Sequence, residues 1–229
     1  RTRSLALEPM SVSQFYRELL GTLRELGIEV SIHTMPNELP DPIPFPDDEL
    51  HDAYVPEHAR ALMKALVQSD RVLKGFRARF TGKCSPVHFF WGSFDLAVTR
   101  FSGRAAPEHP GGIPFLPDEI TREAYSHEVS SCGFWPGNRE APEPFFYSYA
   151  YPTPEGYAEA AVEPTAAYWL TDLGEFVLPY EAVRVADSPD DEIDAFLQST
   201  YAAAADLADW DRRNLEWEPG YRPLARRRF

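Results

Sequence analysis

The sequence is poor in cysteine, poor in basic residues relative to acidic ones, and free of long apolar runs. Its two cysteines are too few for a disulfide framework in a chain of 229 residues, and no CxxC pair favours a structural zinc site. No segment approaches the roughly 18 consecutive apolar residues that span a bilayer, and the first residues lack the apolar core of a signal peptide. We therefore expect a soluble, cytoplasmic protein.

Acidic residues outnumber basic ones by 36 to 22, which gives a formal net charge of −14. Nucleic acids and anionic membranes are bound through basic surfaces that neutralise their charge. The only basic cluster is the tail RPLARRRF, which we expect to fray into solvent. The charge therefore argues against nucleic acid and membrane partners and leaves a small-molecule ligand as the expected partner.

Apolar residues are plentiful, because 44% of the chain is hydrophobic and 14% is aromatic. This content is enough to bury a substantial core, and we predict a single domain over residues 1–229. The chain begins with arginine, and its opening stretch RTRSLALEP has the character of a strand. We therefore expect a fragment or processed product that lacks an N-terminal segment.

The first predicted helix covers about residues 12–26. Ser11 and Gln14 have the spacing of a capping box, and leucines then recur at helical intervals. Gly27 provides the stop, since glycine readily adopts the left-handed conformation that ends helices.

Two further helices are predicted from apolar stripes. One covers about 57–74, with Met63 and Leu73 on its apolar side. The other opens at Ser188, has acidic residues in its first turn, and carries a buried side that includes Leu207.

Strands are predicted between these helices. IEVSIHT, residues 28–34, alternates β-branched side chains, and strand-like runs dominate residues 76–151. Because the strands are grouped rather than alternating with helices, the predicted fold class is α+β, with a central antiparallel sheet and helices on one face and at the ends.

A histidine and an aspartate interrupt the apolar stretch KCSPVHFFWGSFDLAVTRFSGR. Gly92 and Ser93 suit a type II′ turn, which pairs Phe90 with Asp95 and His88 with Ala97. The register leaves one wholly apolar face, including Trp91 and Phe94, that is expected to be core. His88 and Asp95 then lie on the other face as diagonal neighbours within hydrogen-bond reach.

A second polar cluster lies at REAYSHEVSSCGFWPG. As a strand over 123–132, it places Glu123 and His127 on one side. If this strand neighbours the hairpin, His88, Asp95, Glu123 and His127 share one face of the sheet.

These four residues allow more than one chemistry. His88, His127 and Glu123 are the types of ligand that bind zinc, iron or manganese, so a divalent metal cofactor is one prediction. The same histidines with Asp95 are also suited to proton transfer. A buried polar network that only orders the sheet, or a ligand site without chemistry, explains the residues as well.

A ligand-binding set is also predicted. Arg100 is expected to hold an anionic substrate group through its planar guanidinium. FFYSYAYP places Tyr147 and Tyr149 on one side of a strand, where they form a tyrosine ladder that offers apolar faces and polar tips. Trp91 completes the set.

The stretches GKCSPVHFFWGSFDLAVTRFSGR, SHEVSSCGFWPG, FFYSYAYP and WDRRNLE give the chain a family resemblance. From about Leu5 to Glu216 it resembles a bacterial family known only as domain of unknown function 5996. The resemblance implies an N-terminal segment with strands and a Trp-Trp-His motif ahead of Arg1. It therefore also implies pairing with such a segment, which would supply a further histidine, or with a second chain.

Two functions follow from these observations. The leading hypothesis is a small-molecule enzyme with a His and carboxylate site on the polar face of the sheet. The alternative is a binding module without catalysis, in which the tyrosine ladder holds a small molecule or a protein and the His and Asp network is structural.

Overall fold

A computed structural model describes residues 1–139 and 141–217. The described residues group into two compact units. The first contains residues 1–65 and 112–117, and the second contains residues 66–111 and those from 118 onward. The single domain expected from the sequence remains a prediction, and each unit is described by itself.

The first unit contains helix α1 (Val12–Glu25), followed by the short 3-10 helix Phe45–Asp47. The Ser11 Oγ accepts a hydrogen bond from the backbone N–H of Gln14 at 3.1 Å, which caps the first turn. Gly27 has a φ of 81° and follows the last turn. The predicted helix over 12–26 is confirmed, with its start and its stop where the capping signals lie.

Two stretches of this unit that were predicted as strands are extended but unpaired. Residues 1–9 and 28–34 form no β-ladder with any described residue. Ile28, Val30 and Ile32 are 46%, 47% and 50% exposed. The strand predictions are wrong because alternation shows which side chains share a face, whereas a strand also needs a neighbouring backbone to satisfy its N–H and C=O groups.

Helix α2 (Pro56–Ala78) is longer than the predicted 57–74, and the division between the units falls within it. In the second unit its Leu73 and Phe76 side chains are fully buried, whereas Met63, in the first unit, is 60% exposed. The apolar stripe is therefore core only toward the C-terminal end of the helix.

The second unit is built on a six-stranded antiparallel sheet in the order β1-β2-β3-β4-β6-β5. The strands are β1 (His88–Phe90), β2 (Asp95–Ala105), β3 (His127–Trp135), β4 (Phe145–Tyr151), β5 (Tyr168–Leu170) and β6 (Glu175–Pro179). The helices are α3 (Asp118–Ala124), α4 (Tyr180–Arg184), α5 (Pro189–Leu207) and α6 (Arg212–Leu215), with a 3-10 helix at Tyr157–Glu159. The predicted α+β class with an antiparallel sheet is confirmed.

One side of the sheet, which we call the helix face, packs against helices. Helix α5 contacts β3 and β4, and α4 contacts β4 and β6. The side chains on this face are Leu96, Val98, Arg100, Ser130, Cys132, Phe134, Phe146, Ser148, Phe176 and Leu178. Helix α5 contributes the fully buried Phe196 and Leu197, but Leu207 at its end is 48% exposed, contrary to the prediction.

The opposite side, which we call the polar face, has a different composition. Strand pairing and alternation assign to it Asp95, Ala97, Thr99, Ser131, Gly133, Tyr147, Tyr149, Glu175 and Val177. The hydroxyl and carboxyl groups of the sheet are therefore concentrated on the side away from α5.

The predicted register of the β1–β2 hairpin is confirmed, since Phe90 pairs with Asp95 and His88 with Ala97. Its turn differs from the predicted type II′. The left-handed residue is Phe94, with a φ of 64°, and its N–H donates to the Phe90 carbonyl oxygen at 2.8 Å. This longer turn leaves Trp91 82% exposed and Phe94 43% exposed, so the prediction that both are core is wrong.

Candidate active site on the polar face of the sheet

Asp95 is a buried carboxylate at the first position of β2, with 7% of its surface exposed. Its oxygens accept hydrogen bonds from the Tyr147 hydroxyl and the Ser93 hydroxyl. These two donors stabilise a charge that burial alone would disfavour. Asp95 therefore occurs in an apolar stretch because a tyrosine two strands away reaches it.

Gly133 makes this reach geometrically feasible. It pairs with Ala97 on one side and with Tyr147 on the other, so the tyrosine side chain crosses over it toward β2. A Cβ atom at Gly133 would lie 2.3 Å from the Leu96 carbonyl oxygen and 2.6 Å from the Tyr147 hydroxyl oxygen. Only glycine leaves room for the Asp95–Tyr147 hydrogen bond.

We expect Gly133→Ala to lower the free energy of unfolding by about 2 kcal/mol, because the added methyl group forces backbone and tyrosine apart in a packed region. Urea unfolding followed by tryptophan fluorescence measures this change. Gly75→Ala is the matched control, since its Cβ meets no atom within 4 Å and alanine is the better helix former. Equal effects of the two substitutions would contradict the assigned role of Gly133.

A second pair of hydroxyls lies beside the first. The Tyr149 and Tyr125 hydroxyl oxygens are 2.8 Å apart, and the Tyr125 ring stacks on His109 with 4.9 Å between centroids. Burial raises the pKa of both tyrosines above the usual value. These hydroxyls are therefore neutral donors and acceptors over the physiological pH range.

Glu175 is the second carboxyl group of the polar face. It begins β6, two residues before Val177, whose partner on β4 is Tyr147. No hydrogen bond and no ion pair joins the carboxyl group of Glu175 to another described residue. Burial, with a smaller contribution from the charge of Asp95, raises its pKa to about 8. Glu175 is therefore largely protonated at neutral pH.

Glu175 is absent from the residues predicted from the sequence, because no strand is predicted in this region. The sequence does contain a signal for a strand here. In EFVLP, which follows a glycine, Glu175 and Val177 alternate with the large apolar residues Phe176 and Leu178. That pattern predicts a short strand with Glu175 and Val177 on one side. It does not predict which face of the sheet that side joins.

The two histidines do not share a site. His88 lies opposite Ala97 as predicted, but its ring packs on Phe90 at 4.4 Å, and Asp95 takes its hydrogen bonds from Ser93 and Tyr147 instead. His127 is an exposed residue at the first position of β3, six residues from Gly133, which is level with His88. Six residues of strand span roughly 20 Å, so one metal ion cannot bind both histidines.

Glu123 lies on helix α3 and is exposed, so the predicted strand over 123–132 is wrong for its first four residues. The helix begins at Asp118, and the strand begins only at His127. Within residues 1–139 and 141–217, no three His, Cys, Asp or Glu side chains are grouped to hold a metal ion. The set predicted for zinc, iron or manganese, His88, His127 and Glu123, is therefore not assembled.

Arg100 lies on the helix face and not beside the tyrosines. It is 1% exposed, and its guanidinium lies 3.4 Å from the centroid of the Phe76 ring. The prediction that Arg100 holds an anionic substrate group is contradicted by this burial. Trp91, at the exposed tip of the hairpin, and Tyr147 and Tyr149, on the polar face, keep their ligand-binding roles as predictions.

The structure thus defines an α+β protein whose antiparallel sheet carries buried tyrosines and two carboxyl groups on the face away from α5. The model of a family of unknown function, DUF5996, matches residues 1–217, and the chain belongs to this family. No curated protein and no solved structure matches the chain. Among the described residues, no helix has the length and apolar character needed to cross a membrane.

Proposed function

We propose that the protein is a small-molecule enzyme that transfers a proton to or from its substrate over the polar face of the sheet. The observation that carries this proposal is Glu175, a half-buried carboxyl group without a hydrogen-bond partner among the described residues. A carboxyl with a pKa of about 8 holds a proton at neutral pH and can still release it, which is what a general acid requires.

Asp95 has the complementary role in this proposal. It is a carboxylate held by two hydroxyl donors, so its position is fixed and its charge is stabilised. Pairs of titratable groups with contrasting environments are typical of acid–base sites. Tyr147 positions Asp95, and Tyr149 offers a ring and a hydroxyl to the substrate.

The proposal also assigns a location and a class of partner. The net charge of −14 disfavours nucleic acid and anionic membrane surfaces, so the proposed partner is a small molecule. The proposed location is the bacterial cytoplasm. His88 remains in the proposal as a neighbour of Asp95 on the polar face, whereas His127 and Glu123 do not.

A binding module without catalysis is the second candidate. It is favoured by one observation, namely that the oxygens of Asp95 already accept hydrogen bonds within the protein. Such a network orders a sheet even when no reaction takes place. In this case Tyr149 and Glu175 hold a ligand that leaves unchanged.

The test is a small-molecule screen by thermal shift, followed by detection of product by NMR for each compound that stabilises the protein. We expect such compounds to bind at least about tenfold more weakly to Glu175→Gln, and turnover to fall by about a hundredfold or more, the usual range for loss of a general acid. Glu159→Gln, an exposed carboxyl with the same change in charge, is the matched control.

The outcomes separate the two candidates. Turnover that Glu175→Gln abolishes and Glu159→Gln retains supports the enzyme. Binding that depends on Glu175 and Tyr149 without any turnover supports the binding module. Ligands whose binding is unchanged by Glu175→Gln, Tyr149→Phe and Asp95→Asn would place the site elsewhere and contradict both.

A further inference from the structure

Resting on the proposed function, we infer that the ligand of the polar face carries a positive charge, as an ammonium or amidinium group. Two carboxyl groups, Asp95 and Glu175, occupy the same face, and Asp95 influences Glu175 electrostatically. The Tyr147 hydroxyl donates to Asp95, and both carboxyl groups are partly or fully withdrawn from solvent. An anion entering this face would meet repulsion that water screens poorly.

The titratable groups that interact electrostatically with Glu175 come from three parts of the sheet unit. Asp95 is on β2, Tyr125 follows α3, and Tyr157 lies in the 3-10 helix. Burial raises the pKa of both tyrosines, so their hydroxyls are neutral. The carboxylate of Asp95, joined by Glu175 once Glu175 ionises, therefore favours a cation on this face.

Basic side chains of the neighbouring elements have other partners. Arg100 points into the helix face, and the Lys83 ammonium lies over the Phe101 ring at 4.7 Å from the centroid. Arg104 pairs with Glu128 at 2.7 Å. Arg122, on α3, pairs with Glu108 at 3.2 Å. No hydrogen bond or ion pair within the described residues joins an arginine or lysine to Asp95 or Glu175.

The tyrosine rings add a second attraction for a cation. Tyr147 and Tyr149 lie side by side with 6.2 Å between ring centroids and 17° between ring planes. A cation within about 6 Å of an aromatic ring is attracted by the negative potential over its face. Together, the tyrosine rings and the two carboxyl groups of this face should bind a cationic amine more tightly than an alcohol of the same size.

Binding of a cation should change the protonation state of Glu175. A positive charge near Glu175 stabilises its ionised form, so binding below about pH 8 releases a proton. The affinity for an amine should rise with pH until Glu175 is ionised and then level off. A neutral ligand would show no such rise.

The experiment uses two series of probes matched in size, which are 1,4-diaminobutane, 1,4-butanediol and succinate, and benzylamine, benzyl alcohol and benzoate. Dissociation constants are measured by NMR titration of the whole chain at constant ionic strength. We expect an amine to bind to the wild type about tenfold or more tightly than its alcohol, and its affinity to rise by about tenfold from about pH 6 to 8.5. Glu175→Gln should lose both effects, and Glu159→Gln should keep both.

If alcohols or carboxylates bind as tightly as the amines and lose affinity for Glu175→Gln, the inference that the ligand is positively charged is wrong. The proposed site would then still stand. Amines that bind Glu175→Gln and Asp95→Asn as tightly as the wild type would show only attraction to the net negative charge and would overturn the inference. Absence of binding in both series would count against the inference and the site together.

Discussion

Replacing Arg100 with alanine is expected to lower the free energy of unfolding by about 4 kcal/mol, whereas replacing it with methionine is expected to change it by less than about 1.5 kcal/mol or to increase it. Arg100 fills the space between the rings of Phe76 and Tyr201, whose centroids are 3.4 and 4.3 Å from its guanidinium carbon. Alanine leaves a cavity there, and methionine fills most of it.

The difference between the two substitutions follows from how Arg100 is held. Its guanidinium donates to the Phe76 carbonyl oxygen, while its Nε has no partner. No carboxylate within the described residues forms an ion pair with it, and burial lowers its pKa. The charge is therefore costly to bury, and its contacts with aromatic rings offset only part of that cost.

Urea unfolding monitored by tryptophan fluorescence measures both effects. Arg184→Ala is the control, because Arg184 is exposed and its ion pair with Glu181 is screened by water, so the substitution should change the free energy of unfolding little. If methionine is as damaging as alanine, the charge of Arg100 itself is required and the packing argument fails. The methionine variant should also keep any ligand of the polar face, since Arg100 lies on the opposite side.

Replacing Glu175 with glutamine is expected to stabilise the protein by about 3–5 kcal/mol near pH 9 and to have little effect near pH 4. The carboxyl of Glu175 ionises at about pH 8 in the folded protein, and its usual pKa is 4.5. Between these values the unfolded chain has lost the proton that the folded chain still holds. Stability therefore falls as the pH rises through this window.

The free energy of unfolding of the wild type should therefore fall between about pH 4.5 and 8. That of Glu175→Gln should fall less over the same range. Denaturant midpoints measured across this range in both proteins test the difference. Glu159→Gln, with an exposed carboxyl, should follow the wild type. Parallel pH profiles for the wild type and Glu175→Gln would show that Glu175 is not buried as described, and would remove the main support for the proposed acid.

Local patterns in the sequence predicted several elements correctly. The cap at Ser11 and the stop at Gly27 bound α1, and the acidic first turn after Ser188 opens α5. The hairpin register at His88 and Asp95 was also predicted. Each of these depends on interactions between residues close in the chain, so the sequence contains all the partners that are needed.

Part of the site was accessible in the same way. Asp95 and the tyrosine ladder were recognised as polar positions in strands, and alternation placed Tyr147 and Tyr149 on one side of their own strand. The contact between Asp95 and Tyr147 was not predicted. It requires that β3, which carries Gly133, lie between the strands of these two residues, and the sequence of the β1–β2 hairpin does not indicate this.

By itself, then, the sequence determined the fold class, the main helices and the hairpin. Only the tertiary structure decided that Arg100 is enclosed by α2 and α5, that residues 28–34 have no strand partner among the described residues, and that Glu175 joins Asp95 on the polar face. The physical reason is that burial and strand pairing depend on segments distant in the chain. A residue's type and spacing give its local conformation, but its solvation, its pKa and its partners come from what packs against it.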